Sequence, residues 1–405
     1  MDTNQPRVGE HGGENGDDQR VIDTIRNGDT AAMLLLVLTQ REVAMDICVA
    51  LKRFRDSQQR SLAHLAIQVD NMEVLDFLLA NGFDPDSECE DSEGNTPMTL
   101  AVLGQNLDAV RLLVSYGSSV SECDGDLHTL LHLLAMSSTE NESDSCAGGA
   151  QLVDLIIRSG DVDINARDSA GNTPLHLAAV YGSPSIASRL VQVGANINAM
   201  NDCGSAPLHF AAATGDVRIV EYLIAAGAEV NQADAWGNTP LIDAAFVNQS
   251  ASPHFAFGDS ITQSRAVKLL LENGADPEAV NLEGNNALFG AVRNGFEDVI
   301  DQLSRYQTSC CFQLRNNQQE TLLHVAARAQ VTNVSIWEKL LKYCGRGSIS
   351  ALDRFERTCV GIWMAWPQSF GDQPGESGSD DGSFSRRVVE AHGVQAVSRL
   401  LLSIK

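Results

Sequence analysis

Aromatic residues make up only 5% of this 405-residue chain, although the hydrophobic fraction reaches 43%. Leu and Ala therefore have to fill the interior, which suits thin helices packed closely together. Basic residues are also scarce: 28 Lys and Arg stand against 53 Asp and Glu, for a formal net charge of −25. A nucleic-acid backbone or an anionic membrane would repel such a chain, so a basic protein surface fits better as a partner. Nine cysteines are scattered without a Cys-x-x-Cys pair, and Cys310-Cys311 are adjacent. That pattern suits neither a zinc site nor a disulfide framework, and predicts a reducing compartment. Met1 to Arg20 is polar and acidic, which predicts no secretory leader. No apolar run approaches the ~20 residues a membrane helix needs. Neither a phosphate-cradling glycine loop, nor an HExxH-type metal motif, nor a nucleophile–base arrangement is present. The expectation is a protein that is not an enzyme and needs no cofactor or metal, cytoplasmic or nuclear and not secreted.

What is present is repetition. Thr173-Pro174-Leu175-His176-Leu177-Ala178-Ala179 recurs as Ala206-Pro207-Leu208-His209-Phe210-Ala211-Ala212 and as Thr239-Pro240-Leu241-Ile242-Asp243-Ala244-Ala245, each step 33 residues long. A fixed period of this length marks a helical solenoid, and such repeats make surfaces rather than pockets. Asp168-Ser169-Ala170-Gly171 reads as a tight turn, Thr173 as a helix cap and Pro174 as its first residue. A second helix then ends in an apolar pair such as Leu190-Val191, closed by a left-handed glycine, Gly194. Further closing glycines are Gly82, Gly117, Gly160, Gly227 and Gly274, and further helix starts include Ser61, Thr96, Thr129, Asn286 and Thr321.

These residues resemble the ankyrin repeat family, whose T-P-L-H-x-A motif and 33-residue turn-helix-helix unit they match. The resemblance implies an all-α solenoid, an ankyrin repeat array of turn-helix-helix units with short β-hairpin turns. It also implies that His64, His132, His176, His209 and His324, which recur at one motif position, bond the backbone around the turns and knit neighbours together. Arrays of this kind resemble protein-binding scaffolds that recognise partners on a concave face, at the turn positions flanking the glycine and at the end of the first helix. Here those positions are Ser169, Ala170, Asn172, Val180 and Tyr181; then Asp202, Cys203, Ser205, Ala213 and Thr214; then Ala235, Trp236, Asn238, Phe246 and Val247. Tyr181, Trp236 and Phe246 stand out, because large aromatics dominate interface energetics. Asn231, with Leu223 and Glu229 before it, is in a context similar to that of hydroxylated ankyrin asparagines.

The expected organisation is an acidic N-terminal tail at 1–19, capping helices at 20–55, about eight repeats at 56–352, and a divergent C-terminal capping repeat at 353–405. Breaks fall between the two helices of a unit, at 137–150, 247–263 and 367–385. The first and last place serines beside acids, and the middle one carries Phe255 and Phe257. In the final unit Glu356 takes the place of the turn glycine, and Val394, Val397, Leu400, Leu401 and Ile404 form a helical apolar stripe. The functional expectation is a monomeric interaction scaffold for a protein partner. Two alternatives are a regulatory inhibitor similar to NF-κB inhibitors, holding a basic transcription-factor segment, and a substrate adaptor for a ubiquitin ligase.

Overall fold

The computed structural model describes residues 23, 24, 27, 54–84, 86, 91–121, 123–137, 146–160, 162–246, 260–306, 311–365 and 396–401. Two compact units divide the chain, Met1–Asn196 and Ile197–Lys405. The first holds α1 (Leu62–Gln68), α2 (Met72–Ala80), α3 (Pro97–Leu103), α4 (Leu107–Ser115), α5 (Leu130–Met136), α6 (Cys146–Ser159), α7 (Pro174–Val180) and α8 (Pro184–Gln192). The second holds α9 (Pro207–Thr214), α10 (Val217–Ala225), α11 (Pro240–Ala245), α12 (Ser260–Glu272), α13 (Ala287–Asn294), α14 (Glu297–Tyr306), α15 (Leu322–Arg328), α16 (Val334–Cys344) and α17 (Cys359–Met364). Among the described residues there is no named strand, and only an isolated bridge joins Cys123 and Thr129. The all-α fold class holds, and the turns are tight loops rather than strand pairs.

Each unit is two layers deep. First helices pack on first helices, as α1 on α3, α3 on α5 and α5 on α7, and again from α9 through α11, α13 and α15 to α17. Second helices do the same, with α2 on α4, α4 on α6 and α6 on α8, and with α10 on α12 and α12 on α14. Buried alanines such as Ala178, Ala179, Ala211, Ala212, Ala244 and Ala245 let the first helices approach closely. Leu78, Leu113, Ile156, Leu190, Leu223 and Leu270 fill the layer behind them and are essentially inaccessible. Each such side chain contributes about 2–3 kcal/mol by leaving water.

Left-handed residues set the helix lengths. Asp70, Gln105, Gly182, Gly215, Gly295 and Gln330 have positive φ and end the first helices. Asn71, Asn106, Asp216 and Asn333 then cap the second helices through their side chains. Gly82, Gly117, Gly194, Gly227 and Gly274 close them in the left-handed conformation. Gly160 departs from the expected pattern. It is not left-handed, and its smallness is needed because an added Cβ would lie 2.5 Å from Val120 Cγ2.

In the second unit the helical residues 396–401 seal the apolar end of the C-terminal repeat. Val397 and Leu401, one helical turn apart, are fully buried, and the indole N–H of Trp363 donates to Ser398 Oγ at 3.0 Å. Trp363 meets the buried Trp337 edge to face at 5.5 Å. The stripe residues Val394 and Ile404 lie outside the described residues, as does nearly all of 1–53.

Candidate protein-binding surface

The candidate surface is built from turns that repeat one geometry. In the turn starting at Asp168, Oδ1 accepts from the backbone N–H groups of Ala170 (2.9 Å) and Asn172 (2.7 Å). The same two bonds recur in the turns starting at Asp56, Asp91, Asp124, Asn201, Asp234, Asn281, Asn316 and Asp353. A short side-chain acceptor two and four residues upstream of its donors closes the turn as an Asx turn. Partial burial raises the carboxyls of Asp91, Asp124 and Asp353, but the donors around them outweigh it and hold each below the ordinary Asp range.

The fourth turn residue is left-handed throughout. Glycine holds that place at Gly94, Gly171, Gly204, Gly237 and Gly284, whereas Gln59, Leu127, Gln319 and Glu356 occupy it at φ values of 61, 62, 60 and 59°. At Gly237 the constraint is double, since a Cβ would sit 3.0 Å from the Leu282 backbone nitrogen. Neighbouring turns are laced together. Leu282 N–H donates to Trp236 O (2.8 Å), Asn317 N–H to Glu283 O (2.9 Å) and Ala235 N–H to Cys203 O (2.9 Å), with Ser169 N–H to Asp126 O (2.9 Å) in the first unit. Much of the turn backbone is thereby committed, and the side chains at the second and third turn positions face outward, as do those at the fourth where it is not glycine.

The recurrent histidines perform the knitting. The backbone N–H of Thr129 donates to His132 Nδ1 at 3.1 Å, which assigns the ring proton to Nε2; that N–H donates to Asn172 O at 3.0 Å. His64 bonds Asn95 O at 2.9 Å, His209 bonds Asn238 O at 3.2 Å, and His324 bonds both Arg357 O (3.0 Å) and Ala351 O (3.1 Å) in the same manner. Burial holds His64, His132 and His209 below the usual imidazole range, against the pull of those carbonyls. The hydroxyls of Thr129, Thr173 and Thr321 meet the imidazole Nδ1 of their own motif at 2.8–2.9 Å, so threonine and histidine cap the helix as a pair.

Residues picked from the sequence fall into three groups. Ser169, Ala170, Asp202, Cys203, Ala235 and Trp236 are exposed, and Trp236 keeps 54% of its surface. Asn172, Tyr181, Ala213, Thr214, Asn238 and Phe246 are half-buried. Asn172 and Asn238 give their carbonyls to the histidine knit and their amides to Asp168 and Asp234. Thr214 donates to Ala211 O. Phe246 lies over Gly290, where an added Cβ would overlap its ring. Val180 and Ser205 are buried and present little surface, because Val180 packs in the helix layer and Ser205 closes its turn on Asn201. Val247, Phe255, Phe257 and the acidic serine stretches of the breaks lie outside the described residues. Asn231 donates to Gly274 O (2.8 Å) and accepts from Asp276 N–H (2.8 Å), so its amide is in structural use.

Sequence reasoning passed over Leu282 and Val280, which are exposed by 70% and 47% at the turn adjoining Trp236. The Asn-x-x-Gly-Asn spelling of 281–285 was the available signal. Leu127, exposed and left-handed at the glycine position, was also missed. Among the described residues no group of three or more His, Cys, Asp or Glu is arranged to hold a metal ion, and no helix is long and apolar enough to cross a membrane.

The comparisons with known proteins agree with this geometry. The family pattern described as Ankyrin repeats (3 copies) matches residues 22–124, 63–147, 121–201, 143–234, 193–252 and 256–350. The chain is similar to the B-cell lymphoma 3 protein homolog of Mus musculus, 28% identical over 300 residues that cover 73% of this chain and 54% of that protein. It is also similar to the Transient receptor potential cation channel subfamily A member 1 of Drosophila melanogaster, 34% identical over 111 residues, 26% of this chain and 8% of that protein. The chain thus spans about half or less of these relatives. With its motif, its turns and its histidine knit accounted for across most of its length, the chain belongs to the ankyrin repeat family.

Proposed function

We propose that this chain is a non-enzymatic interaction scaffold of the cytoplasm or nucleus, binding a protein partner through the turn and concave-face residues of its repeats. The observation that carries this reading is Trp236. It stands more than half exposed on a turn whose backbone N–H groups are all engaged, outside the buried core. Exposing an indole costs solubility and gains no packing, so its use lies in an interface. Exposed Ser169, Ala170, Asp202, Cys203 and Ala235 occupy the same turn positions and complete the variable surface of their own units. Trp236→Ala is expected to leave the helical signal and unfolding midpoint unchanged and to weaken partner capture by about 2 kcal/mol. Unchanged recovery of partners from the native cell would remove Trp236 from the site.

The net charge of −25 favours a second, narrower reading, a regulatory inhibitor that holds a basic segment of a transcription factor. Salt separates the two. Capture that collapses between low and moderate salt supports charge pairing with a basic segment, and salt-tolerant capture supports an aromatic-anchored scaffold.

A further inference from the structure

Exposed large apolar side chains are scattered over the molecule, but Trp236, Val280 and Leu282 occupy two turns in direct backbone contact through Leu282 N–H and Trp236 O. The absence of a Cβ at Gly237 brings the two turns that close. The charge of their own segments is of one sign. Segments 229–239 and 273–286 carry Glu229, Asp234, Asp276, Glu278 and Glu283, and not one Lys or Arg. The turns that follow differ. Arg315 precedes the turn at Asn316, and Arg354 and Arg357 belong to the turn at Asp353. There the exposed Phe355 is covered by its own neighbour, with the Arg357 guanidinium 4.9 Å from the ring centre. Among the described residues no cation lies over the Trp236 ring.

We propose that the paired turns 234–238 and 281–285 form a docking site for a protein segment that carries one large apolar side chain flanked by lysine or arginine. This rests on the protein-binding reading above and names its partner chemistry. The apolar side chain packs against Trp236 and Leu282, and the flanking cations meet the carboxylates of the rim. The charge pattern excludes an acidic or phosphorylated segment, which the acidic segments around the two turns would repel. It also explains the position of the apolar pair. An apolar anchor supplies the affinity, and the one-signed rim supplies selectivity and a fast approach.

Fluorescence anisotropy tests this with the full chain and three labelled peptides: a leucine flanked by lysines, the same peptide with serine for the leucine, and the leucine flanked by glutamates. The lysine-flanked leucine peptide is expected to bind tightest, and Leu282→Ser and Trp236→Ala each to weaken it by about tenfold, the scale of an interface hot spot. Phe355→Ala is expected to leave it within about twofold, as a contact outside the hot spot would. Circular dichroism of each variant keeps a folding defect from passing for a binding defect. The proposal is overturned if the wild-type chain fails to bind the lysine-flanked leucine peptide or binds the glutamate-flanked one equally well. It is equally overturned if the serine peptide matches the leucine peptide, or if Leu282→Ser changes nothing. Partner capture that depends on Ser169, Asp202 or Cys203 but not on Leu282 would sink this site while leaving the scaffold reading intact.

Discussion

His209 sends its Nε2–H to the carbonyl of Asn238, whereas Ile242, its counterpart one repeat later, has no polar atom to offer the turn at Asn281. Phe289 follows at the same position and is equally apolar. The second unit therefore holds two kinds of junction. Around His209 and His324 the layers are tied by an imidazole. Between 239 and 295 the tie passes to asparagines, with Asn281 Nδ2 donating to Asn238 Oδ1 (3.0 Å) and Asn316 Nδ2 to Asn285 Oδ1 (3.1 Å). Volume does the remaining work, since Phe289 is buried and Phe246 covers Gly290. The exposed Leu282 lies in the same stretch, and the exposed Trp236 stands just before it. Fold and the proposed recognition thus fall at different positions of one repeat: the junction tolerates either chemistry, and the outward side chains of the turn tips carry little of the frame.

The histidine junction should be the more brittle of the two. His324→Ala leaves the carbonyl of Ala351 and the buried N–H of Thr321 without the imidazole, and the carbonyl of Arg357 with the Asp353 N–H alone, a loss of about 2 kcal/mol. Hydrogen exchange at 351–357 should accelerate accordingly; unchanged protection would mean that the imidazole is not the tie. The packed junction is expected to fail through crowding instead. Gly290→Ala drives a Cβ into the Phe246 ring and within 2.9 Å of the Ala245 carbonyl carbon, for a cost of about 2 kcal/mol. Phe246→Ala added to Gly290→Ala should recover part of that cost, and an additive double mutant would contradict the contact.

Turn strain gives a smaller effect of opposite sign. Leu127→Gly relieves a left-handed leucine and is expected to raise stability by about 1 kcal/mol in urea unfolding, whereas Gly237→Ala lowers it. Acidification should separate the junctions without any mutation. His64, His132 and His209 are held below the usual imidazole pKa, so their stabilisation is complete above about pH 6.5, where the unfolded chain is neutral too, and fades as pH falls below it. Asp243 behaves oppositely. Burial, then the charge of Asp234, pushes its carboxyl well up, so its junction is most stable when protonated and weakens as pH rises through that elevated pKa. Exchange corrected for its intrinsic pH dependence should accelerate on acidification near His64 and His132 and slow at 239–246.

The helices were legible because their chemistry is repeated and local. Thr-Pro-Leu-His spells a cap, a first helical residue and a knit, and the closing glycines mark helix ends by conformation alone. Gly160 broke that rule because its reason is a neighbour, Val120, which lies far off in sequence. Turns with Gln59, Leu127, Gln319 or Glu356 in place of glycine carry no conformational spelling, and the Asp or Asn that closes them is the better signal. Leu282 escaped because the 247–263 break lengthens the repeat step and hides its alignment with Ala235. Phe246 read as an anchor, since a sequence does not show that the facing residue is Gly290.

The separation of frame from surface is tested most directly by titrating the lysine-flanked leucine peptide onto Trp236→Ala and His324→Ala, with the unfolding midpoint of each measured in the same buffer. The account predicts that Trp236→Ala loses affinity at an unchanged midpoint, and that His324→Ala loses stability while the folded fraction keeps its affinity. A Trp236→Ala protein that melts early, or a folded His324→Ala protein that no longer binds, would contradict it.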